Sequence, residues 1–452
     1  MLEMVGNGFS VLRRGRERGL LAAIFFMLLL PLTGLAQTVK DSSAARDDLD
    51  QCRPSEHIYQ HDALFNDYHG SKLLSDQALT YIPLMPSRFV QLRRALRGLN
   101  CSGVPLVAFD GRRFGPFSDD PGLYWLVPAV AAHTGLVLAT AVDATLGLVI
   151  VMGIGIGYAG YCRMFACKRS RLIGAAVFLA LAALQMLAGD VYVFQSAPVI
   201  AASPWLVGYA IHQDRRSLVF ACVLFALAAG CCVVVRSTAG PPCVALLTLL
   251  VLGSYRAARA VMLLLLLAAA SLFPILLMRQ EIKRRDAFLA SAGAFEELTN
   301  RHVFWHSAYI GLAYWPNSEV PKYLDEVAVA KVRSIRPDAA FCSPEYEAVL
   351  EHEFWRILIR QPWIVLLNLA LKLVVISAMT LVVALPALNI IVRQRKTLWF
   401  DGAFAAGILT SSLAGLIVVP KPRYLLGMIC FVAMYALLSW SLDQRRCDMT
   451  QC

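Results

Sequence analysis

The chain has 452 residues, of which 58% are hydrophobic and only 16% charged, against about 25% charged in ordinary soluble domains. That balance excludes a soluble globular enzyme and points to a chain built into a membrane. The net charge of +11 does not imply nucleic acid, because much of the surplus Arg and Lys falls in short connections between apolar runs, where membrane insertion accounts for it.

Charge-free runs of roughly twenty residues, long enough to cross a hydrocarbon core, recur along the chain. They are Gly19–Val39, Ala144–Tyr161, Leu172–Gly189, Val191–Gln213, Ser217–Val235, Ser237–Tyr255, Ala260–Met278, Leu373–Val392, Gly402–Pro420 and Tyr424–Leu442. The expected fold class is therefore an all-α polytopic membrane protein of about ten transmembrane helices with two large extracytoplasmic loops. The boundaries are a cytoplasmic N-terminus over 1–18, a first transmembrane helix over 19–39 and a first extracytoplasmic loop over 40–143 carrying amphipathic helices. A six-helix bundle over 144–278, a second extracytoplasmic loop over 279–372, three C-terminal helices over 373–442 and a cytoplasmic tail over 443–452 follow.

Sidedness comes from the short connections. Arg13, Arg14, Arg16, Arg18, Arg163, Lys168, Arg169, Arg171, Arg215, Arg216, Arg256, Arg259, Arg393, Arg395, Lys396, Arg445 and Arg446 all fall on one side, and the opposite short turns carry only Arg236, Lys421 and Arg423. The positive-inside rule puts both termini in the cytoplasm and both long loops outside. The first run, ending in Gly34-Leu35-Ala36, also has the outline of a signal peptide, but it is longer than the usual signal core of about 7–15 residues and reads as a retained helix. Of the 12 cysteines, most lie in spans or on the inner side; Cys52 and Cys101 share the first loop, where a bridge can form, with Cys342 left over.

In the first loop, Ser75-Asp76-Gln77-Ala78-Leu79-Thr80-Tyr81 sets a carboxylate near an aromatic ring. In Arg88–Arg97 and on to Leu99, Phe89, Leu92, Leu96 and Leu99 form one helical stripe among arginines, as in a helix lying in the membrane interface or one presenting its arginines to a substrate phosphate. In Asp119-Asp120-Pro121-Gly122-Leu123-Tyr124, Pro121 suits the first position of a helix and Asp120 its N-cap, which leaves Asp119 to project toward a ligand. The helix that follows is expected to break at Pro128.

The second loop holds the densest aromatic and polar cluster, Arg301 to Asn317. His302 and His306 are four apart and share a helical face, a spacing able to hold a divalent metal, although no Glu follows His302 as a metalloprotease base requires. Trp305, Tyr309 and Trp315 can stack on a sugar or form an interfacial belt. The run through Glu345, Glu347, Glu351, His352 and Glu353 reads as a solvated helix. Arg236 and Arg423, at span ends on the charge-poor side, either reach to lipid phosphates or clamp a substrate phosphate, as do Arg284 and Arg285 in the cluster from Arg279 to Arg285.

On these segments the chain resembles the GT-C superfamily of integral-membrane glycosyltransferases, which includes protein O-mannosyltransferases and the aminoarabinose transferase of lipid A. Ser75–Tyr81 is similar to the acidic segment of that family's first loop, Asp119–Tyr124 to its later acidic, proline-containing segment, and Pro422-Arg423-Tyr424 to the opening of a late span. It departs from the family where Gln77 stands in place of a Glu and Pro121-Gly122 in place of a double proline. The resemblance implies an inverting transfer of a sugar from a polyprenyl-phosphate donor to a glycan, lipid or protein acceptor, at the periplasmic face of a bacterial inner membrane. It makes Asp76 and Asp119 the catalytic carboxylates. Arg236, Arg284, Arg285, Arg423 and Tyr424 would hold the donor phosphate, and Tyr81, Tyr124, His302, Trp305, His306 and Tyr309 the sugar or acceptor. The alternatives are an O-antigen polymerase or ligase and a glycolipid transporter; the scarcity of charged residues inside the spans counts against transport.

Overall fold

A computed structural model describes residues 80–117, 121–165, 167–298, 303–393 and 398–450. Among these residues, nine helical segments are long and apolar enough to cross a membrane, so the chain has the make-up of an all-α multi-pass membrane protein. The tenth expected span, Gly19–Val39, lies outside the described residues, as does Cys52. Cys101 is disulfide-bonded and Cys342 is a buried thiol.

The first loop supplies α1 (Pro86–Ser102), a two-stranded hairpin of β1 (Ala108–Phe109) and β2 (Phe114–Gly115), and α2 (Pro121–Thr134). The bundle follows as α3 (Leu138–Met164), α4 (Lys168–Ala188), α5 (Val193–Ile211), α6 (Arg215–Val235), α7 (Gly240–Ser254) and α8 (Ala257–Ser291). The second loop contains α9 (Phe304–Gly311), α10 (Asp325–Ile335) and α11 (Pro344–Arg360). The chain then crosses again in α12 (Pro362–Ala384), continued by the short α13 (Leu388–Arg393), in α14 (Leu398–Ile417) and in α15 (Leu426–Thr450).

Small residues set the tightest helix pairing. A Cβ on Gly157 of α3 would lie 2.2 Å from the Ile200 carbonyl oxygen of α5, so only glycine lets these two backbones approach so closely. Tyr161, Phe178, Phe225, Phe404 and Phe431 fill the centre of the bundle. Elsewhere α8 and α12 turn large apolar side chains outward, among them Met262, Leu265, Phe273, Val374 and Val382. Apolar surface on that scale is explained by a lipid surround.

Several expected boundaries move. The seventh apolar run does not end at Met278: α8 continues without interruption for 35 residues to Ser291, so Arg279–Arg285 ride on a helix rather than opening a loop. The eighth begins at Pro362 rather than Leu373. Lys372 thus falls inside α12, buried, with its Nζ donating to the carbonyls of Leu416 and Ile417 at 2.9 and 3.3 Å, the last turn of α14. Asp143 sits within α3 and not before it; its carboxylate accepts the Tyr81 and Ile82 backbone N–H groups at 3.0 and 2.9 Å. Helix α2 starts at Pro121 as expected but runs through Pro128 unbroken.

The stripe on α1 also has a different use from the one expected. Phe89, Leu92 and Leu99 are buried and Leu96 half-buried; Phe89, Leu92 and Leu96 pack in one core with Leu106 just before the hairpin, Leu123 and Trp125 of α2 and Leu146 of α3. The apolar face meets protein because the hairpin and α2 fold back over it. The second loop has a core of its own, built on Tyr309, Val320, Val329, Tyr346, Leu350 and Ile357, and α11 is the amphipathic helix its charge pattern implies.

Candidate functional site

Both loops and the turns 189–192, 236–239 and 418–425 meet at one end of the bundle, the loop end. Gly189 has φ +57 and ψ −159, a backbone region open essentially to glycine alone, and its missing Cβ makes room for the Pro83 carbonyl, 2.1 Å from where that atom would stand. Asp190 follows in the left-handed region at φ +55, and its N–H donates to Pro83 at 2.9 Å. Its Oδ1 accepts the Val191 N–H at 2.7 Å and lies 3.2 Å from Arg88 Nε, in an ion pair whose side chains are 9% and 4% exposed. The first loop is thereby pinned to the turn between α4 and α5.

Two residues further on, Tyr192 carries the site. The buried Arg236 guanidinium, placed where the chain leaves α6 in extended conformation, lies 5.4 Å from the centre of the Tyr192 ring. Tyr424 meets the same ring edge-on at 5.2 Å, and its hydroxyl is 3.3 Å from that of Tyr323 in the second loop. Arg423 lies over the Tyr424 ring and Lys421 over Tyr323, each at 5.2 Å. Four cations from three separate parts of the chain, Arg88, Arg236, and Lys421 with Arg423, thus stand around three tyrosines, with Asp190 engaged by Arg88.

The Tyr323–Tyr424 pair is polarised. Burial pushes the Tyr323 phenol up, and the neighbouring Tyr424 adds to this. Burial alone would also raise Tyr424, but hydrogen bonds from Tyr323 and Tyr192 and the charges of Arg423 and Arg236 outweigh it and lower that phenol. The two hydroxyls share one hydrogen bond, and the charges that lower the Tyr424 phenol are of the kind that attracts a bound anion.

A second constellation adjoins the first. The Glu347 carboxylate accepts the Trp305 and His306 backbone N–H groups, both at 2.9 Å, and so caps the start of α9. His306 Nδ1 is 2.8 Å from the Tyr346 hydroxyl and Nε2 is 3.2 Å from Asp325 Oδ1. Burial pushes the Tyr346 phenol up, and the two ring nitrogens of His306 are thus each engaged, one by a phenol and one by a carboxylate. Asp325 begins α10 just beyond Tyr323, which links the two constellations.

Of the residues expected from sequence, Arg236, Arg423 and Tyr424 come together, and His306 lies in the adjoining group. Asp76, Asp119 and His302 lie outside the described residues. Arg284 is an exposed partner of Glu281 at 2.8 Å. Arg285 is fully buried and structural: its guanidinium donates to the Phe117 carbonyl at 2.9 Å and to Asp286, strapping the first loop to α8. Tyr81 is 94% exposed, and Tyr124 is buried in a 4.6 Å stack on Phe117. Trp305 packs among Phe304, Phe354 and Trp355. Tyr309 is buried, its hydroxyl donating to the Glu319 carbonyl at 3.4 Å, and burial pushes its phenol up to about 12. Asp190 and Tyr192 are site residues that sequence patterns do not single out, although Asp190 stands as an acid between two apolar runs.

Among the described residues, no group of three or more His, Cys, Asp or Glu side chains gathers closely enough to hold a metal ion. No protein-family model matches the chain, and no curated protein or solved structure is significantly similar to it.

Proposed function

We propose that the protein is an integral-membrane glycosyltransferase that takes a sugar from a polyprenyl-phosphate donor and passes it, with inversion, to a glycan, lipid or protein acceptor at the loop end. In this reading the loop end faces the periplasm of a bacterial inner membrane with both termini cytoplasmic, an orientation supported by the distribution of Arg and Lys between the two sets of short turns. The observation that carries this reading is the convergence of Arg236, Lys421 and Arg423 on Tyr192, Tyr323 and Tyr424 directly at the end of an apolar bundle. A phosphate at that level keeps its prenyl tail among the helices. Fixed cations there stabilise the charge that develops on the phosphate as the glycosidic bond breaks, and the tyrosines offer ring faces and hydroxyls to a sugar.

Binding to the purified protein tests this directly. A polyprenyl phosphate should bind far more tightly than the corresponding neutral polyprenol. Losing one charge-assisted hydrogen bond costs about 1.5–3 kcal/mol, so Arg236→Ala or Arg423→Ala should weaken binding by roughly 10- to 100-fold. Equal binding of the alcohol and the phosphate, or unchanged affinity in both folded variants, would remove the phosphate site.

A further inference from the structure

The second loop carries an apolar face that its own core leaves uncovered. On α11, Tyr346, Leu350 and Ile357 turn into that core. Trp355 and Ile359 turn away from it and are exposed, Ile359 at 77%. Exposed apolar positions continue at spacings of three and four through Trp363, at the head of α12, to Leu366. Phe304 of α9, also exposed, joins them through Trp305, whose ring lies 4.9 Å from that of Phe304 and 6.1 Å from that of Trp355. The first half of α11 exposes Glu345, Glu351 and His352 instead, so its surface grades from charged to apolar toward α12.

Helix length indicates what meets this face. α12 and α13 together make an apolar run, Pro362–Ile391, of 30 residues, about 45 Å long. The hydrocarbon core spans about 30 Å, and the bilayer with its headgroup layers about 40–45 Å. The neighbouring α14 has 20 residues, about 30 Å, and its last carbonyls, those of Leu416 and Ile417, are bound by Lys372. Pro362–Leu371 therefore rise about 15 Å past the level at which α14 ends. Yet that stretch has no charged residue and exposes Trp363, Leu366 and Leu369. The second loop follows it down, since the Trp315 N–H donates to Asn368 Oδ1 at 2.8 Å, nearly two turns along α12. Tilting α12 would carry the same face deeper into lipid, not out of it.

We propose that the second loop lies against the membrane, with Phe304, Trp355, Ile359 and Trp363 immersed in the headgroup layer of the leaflet at the loop end. The occupant of the face is phospholipid, because the face runs on into the outward flank of α12 at Leu366, Val374 and Val382 and carries indole rings where the hydrocarbon gives way to headgroups. Arg360, exposed beside Ile359, reaches the lipid phosphates from there. The subdomain that holds Tyr323 is thereby kept at the membrane surface, whichever reaction takes place at the loop end.

Fluorescence in vesicles tests this. Cysteines are introduced singly into the full chain carrying Cys167→Ser, labelled with bimane and reconstituted into phosphatidylcholine. Lipid brominated near the headgroup end of its acyl chains should quench the label at Trp355→Cys and Ile359→Cys nearly as strongly as at Leu366→Cys, and leave it bright at Glu345→Cys. Labels at 355 and 359 as bright as at 345, with 366 quenched, overturn the proposal. A label at 359 that ignores bromine and is shielded from aqueous iodide only when two copies share a vesicle assigns the face to a second copy, and overturns it too. The unaltered protein gives a second measurement should the variants misfold. A phospholipid with a photoreactive headgroup should cross-link to residues 355–363, and cross-links confined to α12 beyond Leu371 would leave the second loop standing in water.

Discussion

Arg88 and Asp190 show what a single pair does here. Both side chains are buried, and Asp190 reaches Arg88 only because the turn at Gly189 places it in the left-handed region, where Asp is tolerated better than most residues. Removing one member of a buried pair leaves the other charge desolvated, which typically costs about 3–5 kcal/mol. Asp190→Ala should therefore lower the thermal midpoint of the detergent-solubilised protein substantially. The double variant Arg88→Leu, Asp190→Asn should recover much of the loss, because neither half then buries a charge. A double variant as unstable as Asp190→Ala would show that the turn, not the ion pair, holds the first loop down. Tyr192, two residues beyond, depends on that turn for its place beneath Arg236.

At the scale of elements, the second loop is an α-helical subdomain with its own hydrophobic core, joined to the bundle through Ile364 of α12. One ionic knot crosses it: Glu353 accepts from Lys331 Nζ at 2.9 Å and from Arg356 at 3.0 Å, and Arg356 also bonds Glu319. Burial by itself would raise the Glu353 carboxyl, but the bonds and charges of Lys331 and Arg356 outweigh it and hold the group below its ordinary value. A carboxyl whose folded-state pKa is depressed contributes stability above its unfolded value of about 4.3 and loses it as pH falls through the lower folded value. The second loop should accordingly become more susceptible to limited proteolysis as the medium is acidified through that window. Glu353→Gln should be more susceptible already at neutral pH, with the acid dependence reduced. An identical acid profile in the two proteins would assign the effect to other carboxylates.

Over the whole molecule, the alternation of helices assigns every connection to one of two ends, and the proposed orientation can be checked with the protein's own chemistry. Cys167 is exposed in the turn between α3 and α4, at the end opposite the loops. Asn317 lies in the second loop, between α9 and α10. A membrane-impermeant thiol reagent applied to intact spheroplasts should label Asn317→Cys at once and Cys167 only after permeabilisation. The reverse pattern would invert the molecule and put the cationic cluster in the cytoplasm. Apolar run length and the placement of Arg and Lys were enough to read the multi-pass class from the sequence by itself, because the cost of burying a charge or an unbonded peptide in lipid acts on each segment without reference to the others. The same bias made Arg236 and Arg423 legible as site candidates, cations where few are expected. Segment ends were less legible, since α8 continues past Arg279 on helical hydrogen bonds that tolerate water, and α12 can absorb Lys372 because the end of α14 supplies carbonyls to it. Charge alone could not distinguish Arg285, whose donors turn inward to Phe117, from Arg236. The meeting of Arg88, Asp190, Tyr192, Arg236, Tyr323 and Tyr424 was decided only by tertiary packing, because they come from five separate turns and loops, and no local pattern encodes which ends of a bundle converge.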